Sequence, residues 1–203
     1  MMRRITPTAF RQLAADTRAV AAVEFAIVAP TFLLLLFGIF DAGQGIYVRS
    51  TLQGALQDAG RDAGLESGTA QKDLIDQYVQ EQVSPLVPNA QFTVTRQNYQ
   101  TFSDVGRPED FVDANDNGVY DDDECFTDEN GNLTWDDDVG KSGIGGANDV
   151  VLYTVTVTYD RSFPLWKLLG QSEQTTLSAS TTLRNQPYGT QGVRAKKSIC
   201  PTP

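Results

Sequence analysis

Three features of the 203-residue chain predict an α+β fold in which a long N-terminal helix packs on a small antiparallel sheet. An apolar run from Val20 to Phe40 continues into residues at helical spacing. Three later segments alternate apolar and polar residues as strands do. The first two of those segments are separated by a stretch dense in Asp, Asn and Gly, which reads as an insert rather than as core.

The apolar run reads Phe25-Ala-Ile-Val-Ala-Pro-Thr-Phe-Leu-Leu-Leu-Leu-Phe-Gly-Ile-Phe40, and Val20 to Val23 extend it to about one bilayer crossing. A helix is the only single-segment structure that satisfies its backbone in lipid. Arg3, Arg4, Arg11 and Arg18 precede it and Asp41 follows. The excess of positive charge on the N-terminal side puts that end in the cytoplasm and the rest of the chain outside, anchored in the inner membrane by one pass. A cleaved secretory signal is the alternative, but Ile39-Phe40-Asp41 stands where signal peptidase requires small residues. Pro30 removes one backbone donor and can kink the helix.

Beyond the span, Tyr47, Leu52, Ala55, Leu56, Ala59 and Ala63 recur at helical spacing, so the helix is expected to run on toward Gly64 or Gly68. A second helix is expected over 70–83, with Leu74, Ile75, Tyr78 and Val79 on its apolar face. Strands are expected over 91–97, 149–161 (Val151, Tyr153, Val155, Val157 and Tyr159 on one face) and 175–184. The link Phe163-Pro-Leu-Trp-Lys-Leu-Leu169 is aromatic and leucine-rich enough to touch a bilayer; a connection tucked under the sheet is the preferred reading. The chain thus divides into a basic leader (1–19), a transmembrane helix (20–41), an extracytoplasmic helical part (42–90) and a β-rich part (91–203) with an acidic insert at 104–146.

Composition excludes several classes of function. The net charge is −10, and after Glu24 there are 24 acidic against 12 basic residues, a balance that repels nucleic acid. The chain has no histidine, which removes His-based acid–base chemistry and His-containing zinc sites. Gly140-Lys141-Ser142 suggests a phosphate loop, yet Trp135 stands where that motif needs glycine. No enzyme activity is expected.

The insert carries fourteen acidic residues and one basic residue, Arg107, between Asp104 and Asp138. Within it Asp113, Asn115, Asn117, Gly118, Val119 and Glu124 fit a calcium loop, with side-chain oxygens from the first, third and fifth positions, a glycine at the bend, a carbonyl at the seventh and a closing carboxylate at the twelfth. An offset of 15 residues repeats the arrangement at Asp128, Asn130, Asn132 and Asp136, where Leu133 replaces the glycine and no Glu stands twelfth. Without flanking amphipathic helices, a looser loop site like those of dockerins or thrombospondin repeats is a closer analogy than a true EF-hand pair. A solvated acidic loop is the alternative. The two cysteines, Cys125 and Cys200, lie 75 residues apart. In an oxidising compartment they form one disulfide; otherwise they are two free thiols.

Glu24 opens the membrane span, where a carboxylate either reaches the headgroups or has a partner. A small residue, Ala19, followed by four residues and then Glu24-Phe25, behind a basic tail, resembles the prepilin-peptidase signal of type IV pilins. The segment Val20 to Asp41 is similar to the TadE-like family, the pseudopilins or minor pilins of tight-adherence (Flp) pilus systems. Thr182-Leu-Arg-Asn-Gln-Pro-Tyr188 resembles that family's closing Arg-Asn-Glu-Pro, with Gln186 in place of the Glu. The resemblance implies a pilin-like fold and cleavage between Ala19 and Val20, with Ala19 where the family usually has Gly. It also implies pairing of Glu24 with a neighbouring subunit's new Val20 amine. The implied partners are the prepilin peptidase, other pilin subunits and the assembly machinery, in adhesion to surfaces. A membrane-anchored calcium-binding adhesive module without a pilus role is the alternative.

Overall fold

The computed structural model describes residues 18–65, 69–186 and 189–200; the leader arginines Arg3, Arg4 and Arg11, and Pro187-Tyr188 of the closing segment, lie outside them. The elements run α1 (Arg18–Leu65), α2 (Thr69–Val83), β1 (Gln91–Tyr99), a 3-10 turn (Phe102–Asp104), β2 (Phe126–Asp128), β3 (Lys141–Ser142), β4 (Val150–Asp160), α3 (Leu165–Leu169), β5 (Gln174–Arg184) and β6 (Lys197–Ile199). The chain forms two compact units. One ends its first segment at Gly45 and adds Arg161–Glu173; the other comprises Ile46–Asp160 and the chain from Gln174.

In the first unit α1 is continuous through Pro30. Its apolar side chains point outward, with Phe25 71%, Ile27 72% and Ile39 71% exposed. The helix is long and apolar enough to cross a membrane. From Val20 to Asp41 it rises about 33 Å, against a hydrocarbon core of about 30 Å. At the end of that stretch Arg161 Nη1 donates to Asp41 Oδ2 at 2.6 Å. Phe163 stacks on Phe37 with 5.3 Å between ring centroids. The turn that carries Phe163 is closed by the Arg161 N–H on the Glu173 carbonyl at 2.9 Å. Leu168 (73%) and Leu169 (58%) of this connection are exposed, and Leu165 is buried.

In the second unit β3-β1-β4-β5 form one sheet, with every neighbouring pair antiparallel. The register pairs Val94 with Val155, and Val155 with Ala179. Val48, Leu52, Ala55, Leu56 and Ala59 of α1 make one buried stripe against Val79, Val83, Tyr153, Val155 and Val157. That stripe corrects the expected one: Val48 lies one helical turn before Leu52, whereas Tyr47 is out of phase and 60% exposed. The same holds in α2, where Val79 and Val83 are buried, Ile75 is partly buried, and Leu74 and Tyr78 face outward. A Cβ on Gly60 would stand 2.8 Å from Leu183 Cδ2, so a larger residue there has to displace the Leu183 side chain. A polar tie adds to the apolar core: Tyr153 donates its hydroxyl to Asp76 Oδ1 at 2.5 Å, and Arg96 pairs with the same oxygen. Burial, with help from the Asp76 carboxylate, pushes the Tyr153 phenol well above its ordinary range.

A second, two-stranded sheet joins β2 to β6 through three residue pairs, Phe126 to Ile199, Thr127 to Ser198 and Asp128 to Lys197. So short a ladder is marginal alone. The Cys125–Cys200 disulfide lies beside it and holds the C-terminal segment to the insert. In the chain-entropy picture a cross-link over a separation of 75 residues contributes about 4 kcal/mol. The double substitution Cys125→Ser, Cys200→Ser is therefore expected to lower the unfolding free energy by up to that amount in guanidinium titrations. An unchanged midpoint would show that the β2–β6 pairing holds without the bond.

Candidate functional site

Two regions carry the residues singled out by the sequence. The first is the start of α1, where Ala19 and Val20 stand in the first helical turn and Glu24 follows one turn after Val20 on an exposed face. Phe25 is 71% exposed. In the helix Val20 and Glu24 fall on the same side, about 6 Å apart along the axis. The carboxylate is thus presented outward.

The second region is the insert, built as two loops whose hydrogen bonding matches at the offset of 15 except for one of the two N–H groups that the first aspartate of each accepts. In the first loop Asp113 accepts the N–H of Asn117 (3.1 Å) and of Gly118 (2.7 Å), while Asn115 accepts Asn117 N–H and Asn117 accepts Val119 N–H. In the second, Asp128 accepts Gly131 and Leu133, Asn130 accepts Asn132, and Asn132 accepts Thr134. Both loops close in the same way: the amides of Asn115 and Asn117 donate to Asp121 Oδ2, and those of Asn130 and Asn132 to Asp136 Oδ2.

The second loop is therefore not degraded in shape. Leu133 takes φ 70° where Gly118 takes 75°, a left-handed conformation that a bulky side chain adopts only at a cost. Its missing twelfth-position carboxylate is supplied from elsewhere. Glu124 accepts the N–H of Ala114 and of Asp121 across loop one. Glu109 accepts the N–H of Glu129 and of Asp136 across loop two. Each pair of donors is related by the same offset of 15, as are Glu109 and Glu124 themselves. The repeat unit thus begins at the glutamate, and each unit's glutamate closes the other unit's loop. The backbone follows the same rule, for Val112 N–H binds Cys125 O at 2.8 Å and Thr127 N–H binds Asp110 O at 2.7 Å around the Phe111–Phe126 bridge.

Aromatic rings cement the pair. Tyr120 and its counterpart Trp135 stack with 4.7 Å between centroids, and Phe111 meets both edge-on. Glu109 (1% exposed) and Glu124 (3%) are buried behind them. Burial, with the nearby Asp128 charge, pushes the Glu109 carboxyl above its ordinary range despite the amides it accepts. Glu129 is also desolvated, but hydrogen bonds and charge from Lys196 and Arg107 outweigh that and hold it below its ordinary range. Lys196 Nζ lies 2.9 Å and Arg107 Nη2 2.8 Å from its carboxylate.

Among the described residues no group of three or more His, Cys, Asp and Glu side chains forms a ready metal cluster. In both loops the first aspartate, the Asn carbonyls and the closing glutamate are aimed at backbone N–H groups, and Asp121 and Asp136 at Asn side-chain amides. The donor set is nevertheless all hard oxygen; the carbonyl oxygens of Asn115, Asn117 and Asn130 each accept one N–H and keep a second lone pair, whereas Asn132 Oδ1 accepts both the N–H and the hydroxyl of Thr134. Glu109 was missed in the sequence because the offset was followed only forward from Asp113; carried back to Glu124 it reaches Glu109. The Arg161–Asp41 pair had no such signal, since its members stand 120 residues apart.

No curated protein and no solved structure matches the chain. The helix that carries Val20, Glu24 and the exposed apolar surface does have a match: residues 19–61 match the family model described as TadE-like protein.

Proposed function

We propose that the chain is a pseudopilin or minor pilin of a tight-adherence (Flp) type IV pilus, acting in assembly or at the tip, and not an enzyme. The observation that carries this is the coincidence of the TadE-like match at 19–61 with an apolar helix that starts at the proposed cut and displays Glu24. In this reading a prepilin peptidase cleaves between Ala19 and Val20. The protein then sits in the inner membrane with its C-terminal part outside until partner subunits draw it into the filament. An unpaired carboxylate at the edge of lipid is costly, and pairing with a neighbour's Val20 amine removes two lone charges at once.

The double loop adds a second element to the reading, calcium binding. Asp113, Asn115, Asn117, Val119 and Glu124 would hold one ion, and Asp128, Asn130, Asn132, Asp136 and the cross-supplied Glu109 a second. Support comes from the calcium-loop spacing, from side-chain-to-amide bonds that shape both loops alike, and from two glutamates each facing a loop. When bound, calcium would neutralise carboxylates that otherwise repel one another.

Mass spectrometry of the protein extracted from membranes containing the peptidase is expected to find Val20 as the first residue. An intact N-terminus favours the membrane-anchored adhesive module instead. Glu24→Ala is expected to leave insertion into the membrane intact and to abolish assembly, scored as loss of surface pili; normal piliation would defeat the pairing.

For calcium, the melting temperature of the detergent-solubilised protein is expected to rise in millimolar calcium and fall with chelator. The gain is about 2.7 kcal/mol when calcium stands a hundredfold above its dissociation constant. Glu124→Gln and Glu109→Gln should each remove a comparable share, because the two loops are built alike. A melting curve indifferent to calcium would leave the insert as a hydrogen-bonded structural element alone.

A further inference from the structure

We infer that the turn from Phe163 to Leu169 is a second membrane contact, lying at the headgroup level of the leaflet from which α1 emerges. The inference rests on the reading of α1 as a membrane span. Its depth is fixed within one unit: Phe163 stacks on Phe37 and stands 6.3 Å from Phe40, both in the last turn before Asp41. Where Phe37 is embedded, the Phe163 ring is embedded beside it. Arg161 and Asp41 form their 2.6 Å pair where the apolar stretch ends, so the charged neighbours of the turn mark the boundary and do not enter the lipid.

The composition of α3 matches that depth. Leu165 is buried, whereas Leu168 and Leu169 are 73% and 58% exposed on a five-residue helix. Two adjacent exposed leucines at a turn are unfavourable in water, and here they follow within six residues of the Phe163 ring that packs on α1. Trp166 and Lys167 complete the set found at membrane interfaces, an amphipathic ring and a cation on a flexible stem. The Lys167 ammonium stands 4.9 Å from the Trp166 ring. A cation at this level is complementary to lipid phosphate. The partner is therefore lipid, with glycerol and upper acyl chains against the leucines and phosphate against Lys167.

The test uses the full chain reconstituted in phosphatidylcholine–phosphatidylglycerol vesicles, with and without lipids brominated along the acyl chain. The protein has two tryptophans, Trp135 and Trp166, so the difference between wild type and Trp166→Phe isolates Trp166. A second reporter, Phe32→Trp in the Trp166→Phe background, reads the middle of the span. Both reporters are expected to lose most of their emission to brominated lipid, with Trp166 more sensitive to shallow than to deep bromines. Leu168→Glu with Leu169→Glu is expected to abolish quenching of Trp166 and leave the Phe32→Trp reporter quenched. If that reporter is quenched while Trp166 is quenched only by aqueous iodide, the interfacial contact is wrong and the span stands. Protection of Trp166 from both quenchers would instead place a second copy of the chain over the leucines and overturn the lipid contact. An unquenched reporter at position 32 would remove the span itself, and the inference with it.

Discussion

One helix has to satisfy two solvents, and the rest of the structure follows from how α1 does so. From Phe25 to Phe40 its side chains, Thr31 apart, are apolar around the whole circumference, which suits a surrounding of hydrocarbon, and Glu24 stands just before that stretch. From Val48 onward the apolar residues contract to one stripe, Val48, Leu52, Ala55, Leu56 and Ala59, and the remaining faces become polar. The helix is continuous through the change, so the pattern of side chains alone marks where the outward-facing apolar stretch ends and the protein core begins. Asp41 stands at that change, and its pairing with Arg161 lets a carboxylate occupy the boundary without standing alone.

The acidic insert solves a different problem. Fourteen acidic residues in 35 positions would ordinarily hold a segment open by mutual repulsion. Here many of the carboxylates are spent on orienting backbone N–H groups, two per side chain at Asp113, Asp128, Glu109 and Glu124. Such charge-assisted bonds are shorter and stronger than neutral ones. Because each closing glutamate comes from the other repeat, neither loop is complete without its partner. Two short segments with little apolar surface thereby become one unit, with the rings of Phe111, Tyr120, Phe126 and Trp135 packed together.

The parts of the fold set by periodicity were legible in the sequence. The expected strands at 91–97, 149–161 and 175–184 differ from the observed Gln91–Tyr99, Val150–Asp160 and Gln174–Arg184 by at most two residues at an end. The alternation of Val151, Tyr153, Val155, Val157 and Tyr159 named the buried face of β4 correctly. What could not be read was pairing between distant segments that have no periodicity: β2 with β6, β3 along the edge of β1, and the fold-back of Phe163 onto Phe37. Helix phase was legible only to within one residue, since Tyr47 and Val48 are both apolar and only packing shows which one faces the core. The candidate loop residues were found by spacing, but spacing read in one direction could not show that closure crosses between repeats.

The position of the insert explains why so unusual a segment coexists with an ordinary sheet. Tyr99 at the end of β1 pairs directly with Val150 at the start of β4, so the chain leaves and re-enters the sheet one strand spacing apart. Everything between is topologically a hairpin loop, and the entropic cost of closing a hairpin grows only with the logarithm of loop length. The sheet therefore constrains the insert at two adjacent points and leaves its interior free to adopt its own internal order. The insert in turn reaches back along the far edge of β1, where β3 pairs Lys141 and Ser142 with Asn98 and Gln97. It is also tied to the chain's last segment by β6 and the Cys125–Cys200 bond. Those attachments are separate from the buried residues that pack α1 on the sheet, so the double loop is held by the edge of the sheet and by the C-terminal segment.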